Sequence, residues 1–352
     1  MRDFLKSIRH ILLINLKYLG DSIWMLPLVE NLKKNLPDVE LSVLVNKGTE
    51  DFFYTCPYIN NVIPFPRSEI KGKRWGFIKF ILFALKLRKL KPNMVIDLTE
   101  TDRATILSYL SGARFRISYC NEKSWRQLLL THRVNSRIHS KHMVEYLLDT
   151  LRYLDIRIFE SRIKINIPKE AFQSLERKFP TIFNHNSDKK KVVVHPGARN
   201  PLRQWGAENF ALLCDALSEK CRIFLVAGHS EKSVLNDILR YMKTEPEICT
   251  SELNLYEFAA LCELSDMFIG NDSGPIHVAS AKTFTVGIFG PTVPEIVSPW
   301  TDRKLIFDGG KSLPCRPCKQ EKCINSEFNK CIRSVKPVDV IEEVRKVLDE
   351  LD

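Results

Sequence analysis

Residues 10–46 read HILLINLKYLGDSIWMLPLVENLKKNLPDVELSVLVN, and the fold follows from how this stretch divides. HILLINL is a continuous apolar run, the pattern of a parallel strand buried on both faces. LGDSIWMLPLVENLKKNLP carries helical spacing and is ended by Pro37, which predicts one helix. VELSVLVN is a second buried strand. Strand, helix, strand within 37 residues is a βαβ unit, and a parallel sheet needs such a crossover. The rhythm continues with a short strand in YINNVIPFP, a long helix in GFIKFILFALKLRKLK, and a buried strand in NMVIDLT. A helix in RATILSYLSG, a strand in RFRISY and a helix in HMVEYLLDTLRYLDI complete the series.

From about Lys164 to Lys191 the rhythm breaks, with Pro168, Pro180 and the polar run NHNSDKKK. A second series follows: KVVVHPG, WGAENFALLCDALSE, CRIFLVAG, EKSVLNDILRYM, NLYEFAALCELS, MFIGND, IHVASAK and TVGIFGP. The expected organisation is α/β, with two Rossmann-like doubly wound domains facing a cleft. An N-terminal domain spans 1–178, a C-terminal domain 190–335, and a closing helix 336–352. Neither half carries the GxGxxG dinucleotide fingerprint. Open α/β sheets bind ligands outside the carboxyl ends of their strands, so functional residues belong on the strand-to-helix loops.

The chain has 352 residues, 44% apolar and 27% charged, the composition of an ordinary globular protein. ILLINL is too short to span a membrane and lacks a cleavage site, so a cytoplasmic protein is expected. The net charge of +11 bears on partners rather than fold. Its basic residues gather in KGKRWGFIKFILFALKLRKLK, in ARFRISY and around Arg199 and Arg203. No zinc finger, RNA-binding sheet signature or aromatic-basic ladder argues for nucleic acid. A phosphorylated substrate and peripheral contact with an anionic membrane surface remain. In the basic helix, Phe77, Ile78, Phe80, Ile81, Ala84 and Leu85 recur at helical spacing and are expected to face the core, with Lys73, Arg74 and their neighbours outside.

Three loops combine chemistry with position. Gly20-Asp21 begins the first helix: Asp21 is either a helix cap or a general base for an acceptor hydroxyl, and Gly20 permits close approach. HPGARNPLRQW brings Gly197, Ala198, Arg199 and Arg203 to a strand end, where arginine and free backbone N–H groups suit phosphate oxygens. FIGNDSGPIHVASA places Asp272, Ser273, Gly274 and His277 at a helix start, either as plain capping or as an anion site. Glu231, after CRIFLVAG, is placed to accept from ribose hydroxyls or is a routine first-turn acid. Ten cysteines in such a chain point to thiols or metal rather than disulfides. Cys315, Cys318, Cys323 and Cys331 form C-x2-C-x4-C-x7-C. Free structural thiols are the first reading of that pattern and zinc the reserve.

Together, ILLINLKYLGDSIWMLPLVENLKKNLPDVELSVLV, HPGARNPLRQW, FIGNDSGPIHVASA and IFGPTVP resemble the family 9 glycosyltransferases, the heptosyltransferases of lipopolysaccharide core synthesis. The resemblance runs from about residue 9 to 348. LVNKGTEDFF, VIDLTETDRATILSYLSGARFRISY and SPW are most similar to the heptosyltransferase III subgroup. The resemblance implies an inverting transfer of heptose from ADP-heptose to the lipopolysaccharide inner core. It makes 1–178 the acceptor-binding domain, 190–335 the nucleotide-sugar-binding domain, and Asp21 the catalytic base. It assigns the donor to Gly197, Ala198, Arg199, Arg203, Glu231, Asp272, Ser273, Gly274 and His277, and the acceptor to Gly20, Lys73 and Arg74. Arg203 stands where the family often has lysine, which keeps the charge but changes its geometry. Ala198 and Arg199 replace threonines of some members. No cofactor or metal is expected for the reaction. The rival readings are a same-fold transferase using another nucleotide sugar and a non-catalytic nucleotide-sugar-binding protein.

Overall fold

The computed structural model describes residues 3–70, 75–120, 123–136, 141–184, 188–316, 318 and 321–351. It divides into two compact units, Met1–Asn166 and Ile167–Asp352.

Unit 1 is built on six parallel strands: β1 His10–Asn15, β2 Glu40–Asn46, β3 Asn61–Phe65, β4 Met94–Asp97, β5 Phe115–Tyr119 and β6 His132–Val134. Their order is β3-β2-β1-β4-β5-β6. All six residues of β1 are buried, as its unbroken apolar run requires, because helices cover both faces of the central strands. The register places Ile14 beside Leu44 on one side and Asp97 on the other. The helix expected over 19–37 is two helices, Leu19–Ile23 and Leu26–Asn35. Pro27 sits in the first turn of the second, where its missing N–H costs nothing.

Unit 2 repeats the plan with β7 Lys190–His195, β8 Cys221–Val226, β9 Ile248–Thr250, β10 Met267–Asn271, β11 Phe284–Phe289 and β12 Lys304–Asp308. The order β12-β11-β10-β7-β8-β9 is the order of unit 1 read from the other edge. Helices Ala207–Ser218 and Pro337–Glu350 pack on one face of this sheet, so Val340, Val344 and Leu348 of the terminal helix belong to the unit's own core. The helix Lys169–Lys178 lies in the stretch where the strand–helix rhythm breaks and within the expected bounds 1–178, and it belongs to unit 2: Ser174 and Lys178 both bond the nearly unexposed carboxylate of Glu257. The edge strands β6, β9 and β12 had no sequence reading. Two of them have three residues, and β12 is only half-buried throughout, so none carries a strong apolar run.

The long basic helix, Trp75–Lys89, departs from expectation. Ala84 and Leu87 are buried, and Phe80 and Phe83 pack against the unit 1 core. Phe77, Ile78 and Leu85, expected inside, are exposed, as are Trp75 and Leu82. Ile81 is half-buried. Apolar residues run almost all round this helix, so periodicity does not single out one inward face. Lys73 and Arg74 lie outside the described residues.

Candidate active site at the carboxyl ends of the strands

In unit 1 the first strand hands over to the loop that carries Asp21. Asp21 is the third residue of its helix, half-buried, and Tyr18 occupies the N-cap position, so Asp21 is not the N-cap residue. Gly20 is buried within the same short helix. Three neighbouring strands clamp this loop. Asn15, which ends β1, donates from its side-chain amide to the carbonyl of Asp21 at 3.1 Å. Asn46, which ends β2, donates to the carbonyls of Leu16 and Lys17 at 2.7 and 2.8 Å. The hydroxyl of Thr99, just past β4, accepts the Leu16 N–H at 2.9 Å. Thr99 is held in turn by Asp97, whose buried carboxylate accepts from the Thr99 N–H at 2.9 Å and the Thr105 hydroxyl at 3.1 Å. Burial raises the Asp97 carboxyl to about 6, opposed by those donors and by the nearby Arg126.

Glu100 follows with a left-handed backbone, φ 63°, costly for a residue with a side chain. Its carboxylate accepts the Tyr146 hydroxyl at 2.9 Å. Burial pushes its pKa up, while Lys17, Tyr146 and Arg126 pull it down. Cations therefore gather on the loops that follow the strands. Lys17 and Arg126 lie near Glu100. Arg67 stacks on the Tyr18 ring at 5.8 Å, and Arg103 on Phe65 at 5.9 Å. Such a rim suits an anionic ligand.

In unit 2 the residues singled out in the sequence come together around adjacent strands β7, β8 and β10. Asn271, fully buried at the end of β10, accepts the Trp205 N–H at 3.1 Å and donates to the Pro196 carbonyl at 2.6 Å. It thereby fixes both ends of the 196–205 loop. Glu231 reaches across from the end of β8 and lies against Gly197. A Cβ built on Gly197 would lie 2.3 Å from a Glu231 carboxylate oxygen, so a larger residue there would have to displace that side chain. Glu231 also accepts the Gly228 N–H at 3.0 Å and lies 3.6 Å from His195 Nε2. Burial holds the pKa of His195 down, against the pull of Glu231.

Asp272 has side-chain partners within unit 2. Its carboxylate is paired with Arg203 at 3.0 Å and accepts the Thr292 hydroxyl at 2.7 Å. A buried carboxylate repels phosphate; here it positions an arginine, whose side chain remains 30% exposed. Ser273 ends the loop with a buried hydroxyl that has no hydrogen-bond partner among the described residues, and Gly274 opens the helix Gly274–Ala279, in which His277 is buried. Ala198 is buried and Arg199 exposed. The site thus offers a carboxylate acceptor at Glu231, a held guanidinium at Arg203, and an unsatisfied hydroxyl at Ser273. That combination matches the hydroxyls and the charged oxygens of a nucleotide diphosphate.

Sequence reading missed Asn15, Asn46, Asp97 and Asn271. The signal was present: each is a polar residue closing an otherwise apolar buried strand, as in VLVN and FIGN. Among the described residues no group of three or more His, Cys, Asp or Glu side chains is arranged to hold a metal ion, and no helix is long and apolar enough to cross a membrane.

Two parallel doubly wound units, each with polar groups at the carboxyl ends of its strands, make up the two-Rossmann-domain architecture of the GT-B type. The chain belongs to glycosyltransferase family 9 (heptosyltransferase), whose family model matches residues 82–329. It is 28% identical to lipopolysaccharide heptosyltransferase 3 of Escherichia coli over 95% of this chain and 97% of that one. It is 32% identical to lipooligosaccharide heptosyltransferase 2 of Campylobacter jejuni over 59% of this chain and 66% of that one. Among solved structures, a family 9 glycosyltransferase of Veillonella parvula matches with a TM-score of 0.83 at 20% identity, covering 97% of both chains. An E. coli heptosyltransferase solved with ADP matches with a TM-score of 0.73 at 14% identity, covering 97% of this chain and 100% of that one.

Proposed function

We propose that this glycosyltransferase moves heptose from ADP-heptose to the inner core of lipopolysaccharide, with inversion, while resting on an anionic membrane surface. The observation that carries the reading is the grouping of Gly197, Glu231, Arg203 and Ser273 on adjacent loops of unit 2. Glu231 accepts from the ribose hydroxyls. Arg203, turned by Asp272, and the Ser273 loop with His277 take the diphosphate. Asp21 of unit 1 removes the proton from an acceptor hydroxyl as that oxygen bonds to the anomeric carbon. The bond from that carbon to the diphosphate oxygen breaks, and ADP leaves with the electron pair. Arg203 offsets the charge that grows on it. The cations Lys17, Arg67, Arg103 and Arg126 suit a phosphorylated, acidic acceptor. Similarity to lipopolysaccharide heptosyltransferase 3 along nearly the whole chain supports the choice of substrates.

The membrane part rests on the helix Trp75–Lys89. It presents a second apolar stripe outward, Ile78, Leu82 and Leu85 at spacing i, i+4 and i+7, with Leu82 60% exposed. Exposed Lys79, Lys86, Arg88 and Lys89 accompany it. An apolar stripe accompanied by basic residues is the pattern of a helix lying in a lipid interface.

The test is release of ADP from ADP-heptose by purified protein given heptose-containing core acceptor, compared with UDP- and GDP-sugars. Asp21→Asn is expected to lower turnover by about 10²–10⁴-fold and to leave ADP affinity nearly unchanged. Turnover near wild type would remove Asp21 from the role of base, and release of UDP or GDP in place of ADP would overturn the donor.

A further inference from the structure

One buried side chain at the carboxyl ends of the unit 2 strands has no part in the transfer chemistry. His195 closes β7 and is 4% exposed, and its Nε2 lies 3.6 Å from Oε2 of Glu231. The sheet leaves it little room to shift. Gly270 of β10 is its register partner, and a Cβ built there would lie 2.9 Å from the His195 carbonyl oxygen. The Phe258 ring meets the imidazole edge to face, with centroids 6.1 Å apart.

Glu231 is anchored less firmly. It ends a three-residue 3-10 turn, His229–Glu231, and its side chain is 20% exposed. A glutamate side chain gives up much rotamer freedom when it is ordered. The Gly228 N–H holds this one through Oε2 at 3.0 Å. His195 approaches the same oxygen, so both restraints act on Oε2 and leave Oε1 for a ligand. Gly197 supplies the room, since a Cβ there would lie 2.3 Å from Oε2 and 2.5 Å from Oε1.

The state of the imidazole suits an attraction. Burial lowers the His195 pKa, while Glu231 and the backbone of His195 and Gly197 draw it up. A neutral imidazole carries one N–H and one lone pair. A carboxylate favours the N–H on the nitrogen that faces it, here Nε2. The lone pair then falls to Nδ1, which is buried with no hydrogen-bond partner among the described residues. At 3.6 Å the contact is longer than a hydrogen bond and acts through charge and dipole, which burial strengthens.

We infer that His195 is a positioning residue: its Nε2–H holds the Glu231 carboxylate against Gly197, so that Oε1 is in place before the paired hydroxyls of a nucleoside ribose arrive. This role rests on the proposed contact between Glu231 and the ribose. His195 acts only through Glu231. Its contribution is preorganisation, which raises affinity by removing an ordering cost from the binding step.

Calorimetry with ADP and with 2′,3′-dideoxy-ADP, which keeps the base and the diphosphate but lacks both hydroxyls, tests the role. A hydroxyl donating to a carboxylate should make wild type prefer ADP by about 10- to 100-fold. His195→Leu fills a similar volume without an N–H. It should weaken ADP about tenfold and leave dideoxy-ADP within about twofold of wild type, so that the preference shrinks. His195→Gln places an amide nitrogen near the position of Nε2 and should keep most of the preference. A packing role would cost both nucleotides alike and would not be rescued by glutamine. Should the leucine variant fail to fold, His195→Asn, polar but too short to reach Glu231, takes its place with the same expectation. A wild-type preference that leucine or asparagine leaves intact would overturn the role of His195 and spare the contact of Glu231 with the ribose. Equal losses in the glutamine and leucine variants would overturn it too. Absence of any preference in wild type would remove the ribose from Glu231, and this role with it.

Discussion

The two units share a strand order and differ in what they place at its switch point. In unit 1 the hub is a carboxyl: Asp97 gathers the 97–105 turn, and through Thr99 it holds the loop that leads to Asp21. In unit 2 the hub is an amide: Asn271 holds both ends of the 196–205 loop, and the neighbouring Asp272 aims Arg203. One backbone plan can therefore serve a proton acceptor in one half and an anion site in the other. The difference lies in which polar residue ends each central strand. An amide is neutral at every pH and leaves the field of unit 2 to its arginine. A buried carboxyl titrates, so the hub of unit 1 responds to pH.

That contrast breaks most visibly under titration. The Asp97 carboxyl is raised to about 6 in the folded protein and sits near 3.9 in an unfolded chain, a span of about 2 units or about 3 kcal/mol. Its folded-state pKa is the higher one, so the stability it confers is full below the unfolded value and is lost as pH rises through about 6. Asparagine at this position does not titrate. The stability of wild type relative to Asp97→Asn should therefore fall by about 3 kcal/mol between pH 3.5 and 7.5, measured by urea unfolding at several pH values. A difference that stays constant across the range would mean that Asp97 is ionised throughout.

A smaller effect sharpens the other half of the comparison. Arg203→Ala removes a charge-assisted contact worth about 1.5–3 kcal/mol. ADP and ADP-sugar should bind about 10- to 100-fold more weakly, while adenosine affinity stays put. Calorimetry with the three ligands decides it, and equal losses for all three would place Arg203 away from the phosphates.

The smallest effect concerns the outward stripe of unit 1. Replacing Leu82 and Leu85 together by serine should cut binding to anionic vesicles about tenfold, from the apolar area no longer inserted. The residual binding should then disappear at 1 M salt, where the Debye length is about 3 Å. Co-sedimentation unchanged by the double substitution would return this face to ordinary exposed surface.

Much of this protein was determined by the sequence alone. Apolar runs such as ILLI and MVI, each closed by a polar residue, fit strands buried on both faces, and the glycines, prolines and acids between them mark the turns that follow. That was enough for two doubly wound halves and for the family, and it directed attention to the loops at 20–21, 197–203, 231 and 272–277. What remained for tertiary structure were relations between residues far apart in the chain. Nothing near Gly197 in sequence announces that Glu231 fills the space of its missing side chain, nor that Asp272 is committed to Arg203 and Thr292. The helix Trp75–Lys89, apolar on nearly every side, became two-faced only when the core took Ala84 and Leu87 and left Leu82 outside. Periodicity records how a segment meets its own surroundings. Which partners stand there depends on strand order and register, and these are set by the packing of the whole sheet.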